Sequence, residues 1–269
     1  MKLHIQHRTT YSYAGSASYS IQTLKLTPRR DRSQRSLQWR IQAPGRRIEQ
    51  QDAFGNITHL LTLEGPHSEV LIRAEGIVET DEHYDGLLPA EGVLSPLVYA
   101  NATPLTAATD AIASLARAIF AQPVATRSDA RVLMEAVADK VHYQPGSTTV
   151  TDSAGDVMVR GEGVCQDQTH VAVALCRAAG IPARYVSGYL LDDDPGASSH
   201  AWVELWLQAE NAWLACDVTH QQLANSRMCR LAVGRDYRDA GPVRGVRRGG
   251  GREQLDVQVQ VQVTATTQQ

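Results

Sequence analysis

With 269 residues and a hydrophobic fraction of 43%, the chain is long enough for one large domain or two modest ones, with a substantial core. A net charge of −3 makes no case for nucleic acid or an anionic membrane as a partner. Residues 1–13 lack the apolar stretch of a signal peptide and no long apolar run follows, so the expectation is a soluble, cytoplasmic protein.

Residues 1–80 read as all-β. Leu3–His7, Ile21–Leu26 and Leu37–Gln42 alternate apolar and polar, Asp52-Ala53-Phe54-Gly55-Asn56 is a turn, and Ile57–Leu63 and Val70–Val78 supply two more strands. About six short strands between turn residues suggest a sandwich or small barrel. His4 and His7 fall on opposite faces of one strand, which argues against a shared metal. Gly and Pro residues across 81–104 mark a linker. The expected organisation is therefore a β-rich domain over 1–80, that linker, and a second domain over 105–269.

The second part opens with two helices, Leu105–Phe120 and Ser128–Tyr143, the latter with Ser128 as N-cap. Ser147–Arg160 reads as a polar loop leading to Gly161-Glu162-Gly163-Val164-Cys165-Gln166-Asp167, on which the chain is organised. From Cys165 the apolar residues run at helical spacing to Gly180-Ile181-Pro182, so the thiol sits in the first turn of a helix. Unpaired N–H groups and the positive end of the helix dipole favour a thiolate there. Cys176, Cys216 and Cys229 lack that setting and read as buried small hydrophobes. No C-x-x-C pair occurs, so neither a metal nor a cofactor is expected.

Ala183–Leu191 is a predicted strand. The turn after it holds Asp192, Asp193 and Asp194, which lack the alternating spacing of a calcium loop. Ser199–Leu207 and Ala212–Val218 form a hairpin, Leu231–Arg248 is irregular, and Leu255–Val261 is a terminal strand with one wet face. On the hairpin, His200, Trp202, Glu204 and Trp206 share a face. A four-residue loop pairs Leu207 with Ala212, which sets Asp217 opposite Trp202 and diagonal to His200 on that same face. Cys165, His200 and Asp217 are thus a candidate nucleophile, base and orienting carboxylate. His170, about 140° around the helix from Cys165, reads as a packing residue, as does Thr169.

Three stretches carry a resemblance: Gly163-Val164-Cys165-Gln166-Asp167 with His170, Gly180–Leu190, and Ser199-His200-Ala201-Trp202-Val203-Glu204. They resemble the bacterial transglutaminase-like superfamily. Residues 1–80 with Asp52–Asn56, Val233–Tyr237 and Pro242–Gly245 are similar to a branch with a β-rich N-terminal domain. The resemblance implies an α+β fold, a papain-like transglutaminase core preceded by an all-β sandwich-like domain, with Cys165, His200 and Asp217 catalytic. It implies acyl transfer on a peptide or protein substrate, leaning towards hydrolysis. The alternatives are a transglutaminase with an amine acceptor and a non-catalytic peptide binder. Two departures stand out: Asp217-Val218-Thr219-His220 where the branch has Asp-Pro-Thr followed by Asn or Gly, and Gln168-Thr169 where it commonly has Phe-Ala.

Overall fold

The structure is a computed structural model that describes residues 1–90, 94–192 and 199–264. The first part is built on two long strands, β1 (Lys2–Leu24) and β4 (Ile57–Thr80), paired antiparallel over nearly their full length. The short strands expected at Leu3–His7 and Ile21–Leu26, and at Ile57–Leu63 and Val70–Val78, are segments of these two. Register shifts between Ser12 and Tyr19 interrupt the ladder without ending it. Strands β2 (Gln34–Gln42) and β3 (Arg46–Gln51) lie along the other edge of β4. Residues from both halves of the β1–β4 ribbon, among them Tyr13, Ala17, Leu24, Leu61, Val70 and Ile72, share one apolar core.

The region read as a linker contributes structure of its own. Leu87–Pro89 is a strand, β5, and Pro96–Ala100 forms one 3-10 turn. Helices α1 (Asp110–Ile119) and α2 (Arg127–Lys140) follow. Both begin away from the expected residue, because the caps are Thr109 and Thr126. Thr126 and Asp129 bond reciprocally as a capping box, which leaves Ser128 inside the helix. The stretch expected as a polar loop ends in another helix, α3 (Ala154–Arg160), opened by a capping box of Ser153 and Asp156. Two-residue strands β6 (His142–Tyr143) and β7 (Glu162–Gly163) pair in parallel just ahead of helix α4 (Cys165–Ala178).

Helix α4 is the spine of the molecule. Every residue from Asp167 to Arg177 is buried, so it is covered on all sides rather than on one face. Its last turn is fixed by Arg177, whose guanidinium donates to the carbonyls of Tyr99, Ala183 and Arg235 and to the Thr106 hydroxyl. Against α4 packs a second sheet: β8 (Ala183–Leu190), β9 (Ser199–Leu207), β10 (Ala212–Asp217), β11 (Gln222–Leu223) and β12 (Met228–Gly234), in the order β11-β10-β9-β8-β12, with β5 on β10. A helical turn, α5 (Tyr237–Ala240), capped by Asp236, follows β12. Strand β13 (Val243–Gly249) then pairs with the second half of β1 and β14 (Glu253–Val263) with the first half. The expected irregular stretch at 231–248 is therefore a strand, a turn and a strand. The last part of 105–269 belongs to the sheet of the first eighty residues, because β1 leaves an open edge that alternating 255–261 fits.

The two sheets meet through an apolar cluster, Leu3, Ile5 and Val78 with Tyr189, Cys229 and Leu231, and through side-chain amides. Strand β12 is an edge strand, and Asn56 and Gln34 occupy that edge as backbone would. Asn56 donates to the Val233 carbonyl (2.8 Å) and accepts from its N–H (2.9 Å); Gln34 does the same at Arg230 (2.8 and 2.7 Å). Asp52 holds Asn56 in place by accepting from its N–H and its amide. Beneath them Arg230 bridges Asp31 and Glu204, the three side chains buried. No helix among the described residues is long and apolar enough to cross a membrane. Asn56→Ala leaves a buried donor and acceptor of β12 unpaired and is expected to cost about 2–4 kcal/mol by chemical denaturation; a change under about 0.5 kcal/mol would show that the turn does not hold the sheets together.

Candidate active site

The thiol's position follows from the turn before it. Gly161 ends α3 with φ +75°, and the Gly163 backbone lies so close to Asp167 that a Cβ would stand 2.6 Å from that residue's own Cβ. Asp167, in the first turn of α4, accepts from the Val164 N–H (2.8 Å) and from the Thr148 hydroxyl (2.6 Å). Burial raises its pKa, against these hydrogen bonds. Cys165 is left as the first residue of the helix, half-buried and unpaired with any other cysteine. Cys176, Cys216 and Cys229 are fully buried. Thr169 donates to the Cys165 carbonyl (2.7 Å), an intrahelical role in line with packing.

Strands β9 and β10 pair in the expected register, Leu207 with Ala212 through Val203 with Cys216. Asp217 therefore comes beside His200, and Nε2 of the ring lies 2.9 Å from Oδ1. The contact is a close ion pair whose N–H is off the line to the oxygen. Trp202 stacks beside the ring on the same strand face, 6.2 Å between centroids. With Nε2 on the carboxylate, Nδ1 is the nitrogen left for the Cys165 thiol. Burial pulls the His200 pKa down, but the adjoining Asp217 carboxylate and Cys165 thiol outweigh it and push the pKa up to about 10. All three predicted residues are brought to one place.

One residue of this place escaped the sequence reading. His220 donates through Nδ1 to Asp217 Oδ2 (2.8 Å), and its own backbone N–H reaches Oδ1 (3.3 Å). Burial would raise the Asp217 pKa; the two imidazoles instead hold it well below the usual carboxylate range. The same contact raises the His220 pKa. His220 is one of the departures from the superfamily pattern, and it adjoins the other: Thr219 donates to Gln168 Oε1 (2.7 Å), while Gln168 donates to the Val141 carbonyl (2.8 Å). The thiol helix is thereby tied to the strand end that carries the carboxylate. The signal was the His three residues after Asp217, on a turn where its ring folds back.

His200, Asp217 and His220 also form a group whose ligand atoms lie within 4.8 Å of one another, the arrangement here that a metal ion fits. An ion there would take the His200 nitrogen that faces Asp217. Of the three adjacent aspartates, Asp192 stands 3.7 Å from His220; Asp193 and Asp194 lie outside the described residues. His170 is buried, accepts from the Tyr237 N–H (3.1 Å) and packs on Tyr185; burial lowers its pKa to about 4. His7 is likewise buried, with its pKa lowered to about 4, and bonds Thr9 and Tyr189.

Cys165 and His200 line a cleft of about 380 Å³ between the two sheets. The core side supplies Gln166, Tyr185, Ser199 and Tyr237, and the opposite wall comes from β1 and β14. Among the described residues no Asp, Glu, Lys or Arg lines it.

Comparison with known proteins agrees with this architecture. The transglutaminase-like superfamily core matches residues 113–218, and the bacterial transglutaminase-like N-terminal region matches 3–79. An uncharacterized protein of Mycobacterium tuberculosis is 31% identical over 270 aligned residues, covering 90% of this chain and 86% of that protein. The chain belongs to the transglutaminase-like superfamily. A protein-glutamine gamma-glutamyltransferase of Pseudomonas aeruginosa is 32% identical over 127 residues, 41% of this chain and 18% of that enzyme. The crystal structure of a candidate cysteine protease from Cytophaga hutchinsonii superposes with a TM-score of 0.78 at 23% identity, over 99% of this chain and 92% of that one, so the α+β fold is shared throughout.

In Asp217→Asn, burial of the His200 ring is left without its ionic partner. An NMR titration of the imidazole is expected to move well down from about pH 10, because the Cys165 side chain alone is then left to oppose burial, with the ring protonated below each midpoint. An unchanged midpoint would mean that the carboxylate does not set the ring's charge.

Proposed function

We propose that this protein is a cysteine-dependent acyl-transfer enzyme that acts on peptide or carboxamide bonds, with water as its usual acceptor. The observation that carries the reading is the contact of His200 Nε2 with Asp217, with the half-buried Cys165 thiol neighbouring the ring in the same open cleft. Cys165 Sγ adds to the carbonyl carbon to give a tetrahedral oxyanion, whose collapse breaks the C–N bond as His200 passes a proton from Nδ1 to the departing amine. The product is a thioester on Cys165. The Cys165 backbone N–H, at the helix start, donates to the oxyanion that precedes it. Water, deprotonated by the same ring, then releases the acid and restores the thiol. Asp217 keeps the ring oriented and its positive form stable, and His220 keeps Asp217 ionised.

Hydrolysis is favoured because the described cleft holds no carboxylate to receive a lysine ammonium, which would be desolvated there without a partner. The partial match to a glutamyltransferase supports transfer to an amine as the second reading. The two differ in product: free acid and ammonia or amine, against an isopeptide bond. On this reading the partner is a peptide or protein substrate met in the cytoplasm.

Against any substrate turned over by the wild type, Cys165→Ala and His200→Ala are expected to abolish turnover. Asp217→Asn is expected to lower kcat by about 10²–10⁴ with KM little changed. Full activity in Cys165→Ala would end the proposal.

A further inference from the structure

We propose that the face of the first sheet that overhangs Cys165 is the subsite for an apolar side chain of the acyl donor, adjacent to the scissile carbonyl; this rests on the acyl-transfer reading above. Three cross-strand pairs of β1 and β14 form that face: His7 with Val259, Thr9 with Val257, and Tyr11 with Leu255. All six line the cleft that contains Cys165 and His200. The pairs change character along the strand. At the inner end Val261 is buried against Leu3, Ile5, Tyr189 and Leu231, and Val259 packs on the same cluster. Two and four residues further out, the same face of the same strand loses its cover, and Val257 and Leu255 are 47% and 53% exposed.

The alternation of β14 makes this exposure informative. Gln254, Asp256, Gln258, Gln260 and Gln262 all point the other way, so the strand has a wet face already and its apolar face is the one that packs. On the cleft side the covering stops beyond Val259; at the strand's other end Val263 is exposed as well. At the closed end, His7 and Thr9 are bonded to each other, and His7 also to Tyr189, so both ring nitrogens of His7 are taken. A substrate side chain that lies against the β1–β14 wall must therefore match Leu255, Val257, Val259 and Tyr11, while the polar groups of the cleft, Gln166, Ser187, Ser199 and His200, come from the opposite side. A leucine-, valine- or phenylalanine-sized group completes the apolar stripe by covering Leu255 and Val257. A glutamate or lysine side chain would be desolvated against it without a partner.

The test uses the intact protein and a readout that does not need turnover. Peptidyl chloromethyl ketones alkylate a thiol with loss of chloride as the S–C bond forms, so their rates at Cys165 report binding next to the sulfur. Matched labels ending in leucine, lysine or glutamate are compared by mass spectrometry, with iodoacetamide as the reference rate for each protein. The leucine label is expected to react 10–100-fold faster than either charged one, a discrimination in the range of a hydrophobic pocket. In Leu255→Asn and in the near-isosteric Val257→Thr this preference is expected to fall several-fold, and Leu255→Lys is expected to bring the glutamate label above the lysine label. Equal rates for the three labels on the wild type, or a leucine preference untouched by all three variants, would overturn the subsite. Iodoacetamide labelling of Cys165 no faster than that of unfolded protein counts instead against the thiol reading.

Discussion

The site depends on the register of one hairpin. Side chains alternate along a strand, so a one-residue slip between β9 and β10 would carry Asp217 to the far side of the sheet from His200. The ring would then be buried without a carboxylate to hold its charge, and burial favours the neutral form. The four-residue turn between Leu207 and Ala212 thus decides an electrostatic property seven residues away from it on β9 and five on β10. His220 strengthens the arrangement by taking the second carboxylate oxygen, so both oxygens of a fully buried Asp217 face an imidazole.

A second constraint acts at longer range. The cleft has two walls only because the first sheet is held against the second, through an apolar cluster of Leu3, Ile5, Val78 and Val261 with Tyr189, Cys229 and Leu231 and through buried polar groups. Asn56 and Gln34 extend β12 with side-chain amides, while Arg230 joins Asp31 of the first part to Glu204 of β9. Ion pairs this deeply buried give little net stability, because desolvation offsets the attraction. Loss of one partner, however, leaves a bare charge in the interior at a cost of about 3–5 kcal/mol. The network therefore fixes where the sheets meet, and with it how far β14 stands from the thiol.

What was legible in the sequence was what is local or periodic. The helix opening on Cys165, the hairpin register and the diagonal of His200 and Asp217 follow from spacing alone. The burial of Cys176, Cys216 and Cys229 follows from their lack of any other setting. Helix starts were missed where a threonine upstream bonded reciprocally with an acid three residues on, as at Thr126 and Asp129, so that the better-looking Ser128 was bypassed. Strands β13 and β14 return to β1 across more than 200 residues, and no local pattern announces such a pairing. The same holds for Asn56, whose turn was readable but whose partner, Val233, was not. His220 needed the turn after β10 to fold its ring back onto the carboxylate. A sequence shows the residue and not the fold-back.

The central claim is that the Cys165 sulfur carries the acyl group. The direct measurement is intact-protein mass spectrometry, with peptide mapping, after rapid quenching with a cleaved substrate. The account predicts one adduct of the acyl mass on the peptide containing Cys165, released by hydroxylamine as a thioester is and absent from Cys165→Ala. Turnover with no adduct on that peptide, or an adduct on another residue, would contradict it.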